Sequence, residues 1–170
     1  MIFRRIEDFE LDFAYELHCE VVDYLLKKGI KQWLRPIDKN KLKERQLRKE
    51  NFGLFINEKL EVFLSITKRK KNFEWDYILG NKETVWLNSV SVNIHNKNKG
   101  LGKLAILKAI EYLQYFKIQE VYLDCVINEG FLVTYYKNLG FELLSETSVT
   151  YKSGSFKLAL MKKNINYETK

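Results

Sequence analysis

The stretch that most constrains this chain runs from Thr84 to Lys103, TVWLNSVSVNIHNKNKGLGK. Thr84 to Val92 carries the β-branched and aromatic residues of a strand. From Leu101 to Phe116 the residues Ala105, Ile106, Ala109, Leu113 and Phe116 share one helical face, with Lys103, Lys108, Glu111 and Gln114 opposite. A helix start leaves backbone N–H groups unpaired at the positive end of the helix dipole, which makes a ready anion site. Gly100 and Gly102 let the backbone approach such an anion, and Lys97, Lys99 and Lys103 surround it with cations. A pyrophosphate matches this arrangement. A plain helix entry, with glycines for packing and lysines for solubility, is the other reading of the same residues. A Walker loop is excluded, because Leu104 follows Gly102-Lys103 and position 97 is not glycine. The dinucleotide fingerprint is formally met by Gly100 to Ala105, yet it needs its first glycine tight against the strand, and here Asn93 to Lys99 intervene.

The rest of the chain supplies periodic segments around that unit. Met1 to Ile6 reads as a short strand. From Asp12 to about Gly29, Phe13, Ala14, Leu17, Val21 and Leu25 recur at helical spacing. Asp38 can cap a charged helix from Lys39 to about Glu50 that is expected on the surface, with Leu42 and Leu47 as its apolar contacts. Phe52 to Ile56 and Leu60 to Ile66 read as a hairpin, and Lys68 to Lys82 as a polar connection in which Trp75, Tyr77, Ile78 and Leu79 suggest some packing. Val121 to Ile127 is a strand and Gly130 to Leu139 a short helix. Phe141 to Thr150 and Ser155 to Lys163 close the chain as strands joined at Lys152-Ser153-Gly154. The order β-α-α-β-β-β-α-β-α-β-β gives an α/β domain with a mixed sheet. No linker or repeat interrupts it, so a single domain is expected over residues 1–170.

Composition narrows the function classes. At 46% hydrophobic and 30% charged, the chain is neither a disordered nor a membrane sequence. Acidic residues in the first dozen positions stand where a signal peptide has its apolar run, so the cytoplasm is expected. Cys19, Cys125, His18 and His95 form no ligand pattern, and no metal is expected. The net charge of +7 comes mostly from scattered lysines, not from an arginine stripe with interleaved aromatics, which disfavours a nucleic-acid binder.

The segment Lys97-Asn98-Lys99-Gly100-Leu101-Gly102 resembles the acyl-CoA loop of the GNAT superfamily of N-acyltransferases, Gln/Arg-x-x-Gly-x-Gly/Ala, with lysine in the first place. Tyr135-Tyr136-Lys137-Asn138-Leu139-Gly140-Phe141 is similar to the family's late signature, Tyr-x-x-x-Gly-Phe. Asp124-Cys125-Val126 and Gly29-Ile30-Lys31-Gln32-Trp33 resemble a bacterial branch. The resemblance implies a mostly antiparallel sheet flanked by helices, and an acetyl-CoA-dependent N-acetyltransferase that moves the acetyl group directly to an amine of a small molecule or peptide. It implies that Val90, Ser91 and Val92 pair with the pantetheine arm, that Lys97 to Lys103 hold the pyrophosphate, and that Asn128 contributes beside them. Tyr136 would meet the departing sulfur as hydrogen-bond donor or acid, and Gln32 and Trp33 would border the acceptor pocket. Packing is the other role open to Tyr136 and Trp33.

Two departures from the family pattern bear on chemistry. Where the family carries an asparagine ahead of the motif tyrosine, Glu129 holds the place here, with Asn128 beside it. Many members place a glutamate base on the strand before the loop, and this strand offers Asn88, Ser89 and Ser91. A GNAT-like module that binds acyl-CoA without transfer is therefore a second reading, and a basic nucleic-acid binder a third. A homodimer is compatible with each of them. His18 is expected to be a packed histidine, His95 an exposed loop residue and Cys125 a small buried hydrophobe.

Overall fold

The computed structural model describes residues 1–127, 131–151 and 154–165. The chain forms two compact units. One comprises Met1–Thr67 with Leu87–Tyr112, the other Lys68–Trp86 with Leu113–Lys170.

In the first unit, β1 (Ile2–Arg5) pairs antiparallel with β2 (Asn51–Ile56), and β2 with β3 (Lys59–Arg69), from Asn51↔Ser65 to Ile56↔Lys59 with a register shift between Leu54 and Phe55. Asn57 and Glu58 both take positive φ, 49° and 64°, the turn geometry whose twist suits a two-residue hairpin. β4 (Thr84–Val92) follows β3 in strand order. The helices α1 (Leu11–Lys27) and α2 (Lys39–Leu47) lay Ala14, Leu17, Val21 and Leu42 against Phe63 of β3. The Asp38 carboxylate accepts from the backbone N–H groups of Asn40 and Lys41 and starts α2 as its spacing predicts.

Periodicity chose the right faces but misplaced their edges. Phe13 is 62% and Leu47 85% exposed, because each lies a step off the buried stripe of its helix. Nor is α2 a purely superficial helix: Leu42 is fully buried, and Arg45 turns inward.

In the second unit, β5 (Glu120–Val126) pairs antiparallel with β7 (Gly154–Asn164), and β7 with β6 (Glu142–Tyr151), so β7 lies between β5 and β6. β4 meets β5 in parallel, Trp86 opposite Tyr122. Trp75, Trp86, Tyr122 and Leu160 form a core cluster. The connection read as polar contains a 3₁₀ turn, Phe73–Trp75, and a short helix α3 (Asp76–Leu79). The buried Asn72 organises it. Its amide donates to the carbonyls of Gly80 and Lys82, its oxygen accepts from the Thr84 hydroxyl at 2.6 Å, and Thr84 in turn accepts from the Trp86 indole at 2.7 Å. These bonds satisfy the polar groups that would otherwise make a buried loop costly.

The remaining helices are α4 (Leu101–Tyr115), which buries Ala105, Ile106, Ala109 and Leu113, and α5 (Phe131–Lys137). Phe116 and Phe131 are both about half exposed and lie outside the faces expected to hold them. The fold is thus mixed α/β, with a mostly antiparallel sheet flanked by helices. Among the described residues no helix is long and apolar enough to cross a membrane, and no three His, Cys, Asp or Glu side chains come together as metal ligands.

Candidate functional site

In the first unit the chain leaves β4 at Val92, makes a 3₁₀ turn over Ile94–Asn96 and enters α4 at Leu101. The loop between is braced from below. The buried Glu61 takes the Asn93 N–H on its backbone carbonyl and the Asn96 amide on its carboxylate, the latter at 2.7 Å. The Asn96 oxygen then accepts from Lys99 Nζ at 2.6 Å. Lys97 Nζ reaches the Tyr24 hydroxyl at 2.5 Å and lies 4.2 Å from the centre of that ring.

Gly100 takes φ +73°, a left-handed conformation that costs glycine nothing. A Cβ there would meet nothing within 4 Å, so the space beside it is open and the backbone, not crowding, calls for glycine. Asn98 also turns left-handed at φ +62°. Leu101 is buried and fixes the start of α4, Gly102 lies in its first turn, and Lys97, Asn98, Lys99 and Lys103 are exposed. Open space, a helix start and solvent-facing ammonium groups suit a phosphate-bearing ligand.

Upstream on β4, Val90 and Val92 are half-buried and Ser91 is buried. The Ser91 hydroxyl donates to the Ser89 carbonyl at 3.0 Å and meets His18 Nδ1 at 2.8 Å. His18 is packed, as expected: its ring stands edge-on to Trp33 at 5.0 Å. Burial, helped by the Arg45 charge, lowers its pKa to about 4, so the ring is neutral near pH 7 and a poor proton acceptor. Gln32 and Trp33 are half-buried, with Trp33 joined to the α1 core.

In the second unit Tyr136 is buried within α5, edge-on to Tyr135 at 5.2 Å and to Phe141 at 5.8 Å. Burial raises its pKa strongly, with Cys125, Tyr135 and Asp124 adding to the shift, so the phenol keeps its proton. Cys125 and Asp124 are successive residues of β5 and face opposite ways. Burial pushes the Cys125 thiol up to about 12, and its sulfur lies 4.0 Å from that of Met161, so it is the small buried group expected rather than a nucleophile. Asp124 accepts from the Trp75 indole at 3.3 Å. Burial raises its carboxyl above the ordinary range, while Arg69 and Trp75 act in the other direction. Asn128 and Glu129 lie outside the described residues.

The structure places the loop at the start of α4 and Tyr136 within α5, where the sequence pattern expects them, and turns Arg45 inward from a helix read as surface.

No family model matches the chain, and no curated protein does either. Solved structures do. A GNAT-family acetyltransferase from Listeria monocytogenes aligns with a TM-score of 0.79 at 19% identity, over 96% of this chain and 94% of that one. The ribosomal-protein-S18-alanine N-acetyltransferase of Escherichia coli aligns at 0.71 and 16%, over 99% and 96%. A putative acetyltransferase from Salmonella typhimurium, solved with its cofactor acetyl-CoA, aligns at 0.72 and 17%, over 100% and 96%. This chain has the GNAT fold.

Proposed function

We propose that the protein is an acetyl-CoA-dependent N-acetyltransferase that transfers the acetyl group directly to an amine. The observation that carries this reading is the loop from Lys97 to Lys103, with Gly100 left-handed beside open space at the start of α4, within a GNAT fold. Acetyl-CoA supplies an activated acyl group as a thioester. Backbone N–H groups of the loop and the start of α4, with Lys97, Lys99 and Lys103, hold its pyrophosphate. Backbone groups of Val90, Ser91 and Val92 pair with its amide-bearing arm as a further strand would. Asn128 adds a polar contact.

Tyr136 acts as a hydrogen-bond donor toward the departing sulfur. An ordinary thiol has a pKa of about 8.5 and tyrosine one of about 10 before burial raises it, so full proton transfer from the phenol to the thiolate would run uphill. Donation without transfer stabilises the charge as it develops, which is where such a bond lowers the barrier.

β4 offers no base. Asn88 donates to Thr67 Oγ1 at 2.8 Å, Ser91 is committed to Ser89 and His18, and serine and asparagine do not accept protons near neutral pH. The amine proton leaves through water toward Asp124 or Glu129, and desolvation lowers the amine's own pKa. Gln32 and Trp33 border the acceptor.

Calorimetry with CoA and acetyl-CoA, together with acetyl-CoA consumption over a panel of amines, tests the reading. Micromolar binding that Gly102→Val weakens by roughly 10- to 100-fold in a folded protein, with turnover on some amine, supports it. Binding of NAD in place of CoA overturns it. The unpopulated base position on β4 favours one other reading, an acyl-CoA-binding module, which predicts CoA binding without turnover on any amine.

A further inference from the structure

Burying a carboxylate is costly unless it is paired or hydrogen-bonded. Glu61 is 5% exposed, on β3 beside the buried Val62, Phe63 and Leu64. The side-chain donor that meets it is neutral: the Asn96 amide, at 2.7 Å and 35 residues further along, in the loop between β4 and α4. The Glu61 backbone carbonyl also takes the Asn93 N–H, at 2.9 Å. Asn93 and Asn96 bound the 3₁₀ turn that leads out of β4, and the Asn96 N–H closes it on the Asn93 carbonyl at 2.9 Å. One buried residue thus grips the turn at both ends.

A primary amide has a donor end and an acceptor end, and its neighbours decide which way it faces. A carboxylate only accepts, so Asn96 must turn Nδ2 toward Glu61 and Oδ1 away from it. Oδ1 is the atom that takes Lys99 Nζ, at 2.6 Å. With the amide reversed, its own hydrogens would face the ammonium and release it. Glu61 therefore acts on Lys99 without touching it, through the orientation of one amide. An ammonium carries three hydrogens, so after Asn96 takes one, two remain for an anion. Lys99 immediately precedes Gly100, whose left-handed backbone lies beside open space at the start of α4.

We infer that Glu61 and Asn96 are positioning residues of the anion loop: Glu61 sets the Asn96 amide, the amide aims Lys99, and the aimed ammonium raises the affinity for a phosphate-bearing ligand. The gain is preorganisation. A free lysine side chain loses rotamer freedom when it binds, whereas a tethered one has lost it already, which is worth up to about 10-fold in affinity. A lysine kept for solubility alone gains nothing from a buried acid behind its tether. The inference rests on the acetyl-CoA reading for the identity of the ligand, and on the hydrogen bonds alone for the placement of the ammonium.

The test is a double-mutant cycle read by calorimetry with CoA. Lys99→Met should weaken binding by ~10-fold, the loss of one charge-assisted contact. Asn96→Ala should weaken it by roughly 3- to 10-fold in the parent and not at all in the Lys99→Met background, because its effect passes through the ammonium. Glu61→Ala should match Asn96→Ala. Glu61→Gln, which keeps an oxygen to accept from the amide, should hold affinity within about 2-fold of the parent. If Glu61→Ala does not fold, Asn96→Ala carries the cycle alone. A loss of the same size in both backgrounds means that the loop has merely loosened, and it overturns the inference. So does parent-like affinity in Asn96→Ala.

Inorganic pyrophosphate, titrated into isotope-labelled protein and followed at the Gly100 and Gly102 amide resonances, separates this inference from the reading of the reaction. If CoA fails to bind while pyrophosphate binds with the same coupling between Asn96 and Lys99, the acetyl-CoA reading falls and the positioning stands. If CoA binds and the coupling is absent, the positioning falls alone. If neither ligand reaches the loop, both fall.

Discussion

The two units shift particular buried groups toward their neutral forms from opposite sides of the titration scale. In the first the group is a base: His18 is held neutral by burial and by the Arg45 guanidinium, with its pKa near 4. In the second the groups are acids: Cys125 is pushed up to about 12, and Tyr136 and Asp124 are raised as well. The difference separates two tasks. A unit whose loop offers N–H groups and exposed lysines is suited to gathering anions, and adding a histidinium would only crowd it with like charge. A unit that keeps phenol and thiol protonated is suited to donating hydrogen bonds. Binding should therefore be damaged in the first unit and the chemical step in the second.

The sharpest test sets Tyr136→Phe beside Gly102→Val. Loss of the Tyr136 hydroxyl should lower kcat by ~10²- to 10³-fold, the usual result of removing one donor to a developing anion, with CoA affinity unchanged. Gly102→Val should instead weaken CoA binding, by roughly 10- to 100-fold, because a branched side chain in the first turn of α4 obstructs the approach of phosphate to the backbone. Steady-state kinetics and calorimetry on both variants check this. The same kind of loss in both would erase the division of labour.

Acid sensitivity should come from the first unit. The folded pKa of His18, about 4, lies below its ordinary value of 6.5, so between those values the unfolded chain binds a proton that the folded chain refuses. The unfolded state thus gains as pH falls, and the His18 contribution, fully present above pH 6.5, is lost through the window down to about 4. The size is on the order of 3 kcal/mol. Urea midpoints of the parent and His18→Gln between pH 4 and 7 measure it. The variant should be less stable at pH 7 yet show a flatter acid limb, and an unchanged slope would remove His18 from the account.

How much of this was legible in the sequence depends on the range of the interaction. The loop between β4 and α4 was legible as a strand–loop–helix unit because strand, glycines, lysines and helix start are neighbours in the chain. The placement of Tyr136 in a short helix was legible because it belongs to a short pattern with Gly140 and Phe141. The helix α3 was not, since its order depends on Asn72 reaching the carbonyls of Gly80 and Lys82 and the Thr84 hydroxyl, and no hydrophobic period announces such a network. Phe13 and Leu47 were misplaced because helical spacing defines a stripe, not its edges. The Arg45 pair with Ser89 lay furthest out of reach. Forty-four residues separate the two, and nothing about a serine in a strand signals a left-handed backbone.

The smallest activity effect is expected at Cys125, although it sits beside the proposed chemistry. A thiol with its pKa near 12 has almost no thiolate at neutral pH, so it cannot serve as an acyl carrier. Direct transfer then predicts that Cys125→Ala keeps kcat within about 3-fold of the parent, the remainder reflecting lost packing around Met161. The same variant carries a stability signature opposite to that of His18. The folded thiol titrates at about 12 and the unfolded one at 9.0, so between these values the unfolded chain has released a proton that the folded chain retains. Stability must fall as pH rises above 9, and Cys125→Ala should flatten that fall between pH 9 and 10, before Tyr136 adds its own. Single-turnover kinetics with radiolabelled acetyl-CoA, quenched in acid, supplies the decisive complement. Label recovered on the protein in the parent but not in Cys125→Ala would make the cysteine an acyl carrier after all, and the second unit would then have a nucleophile where a hydrogen-bond donor alone is expected.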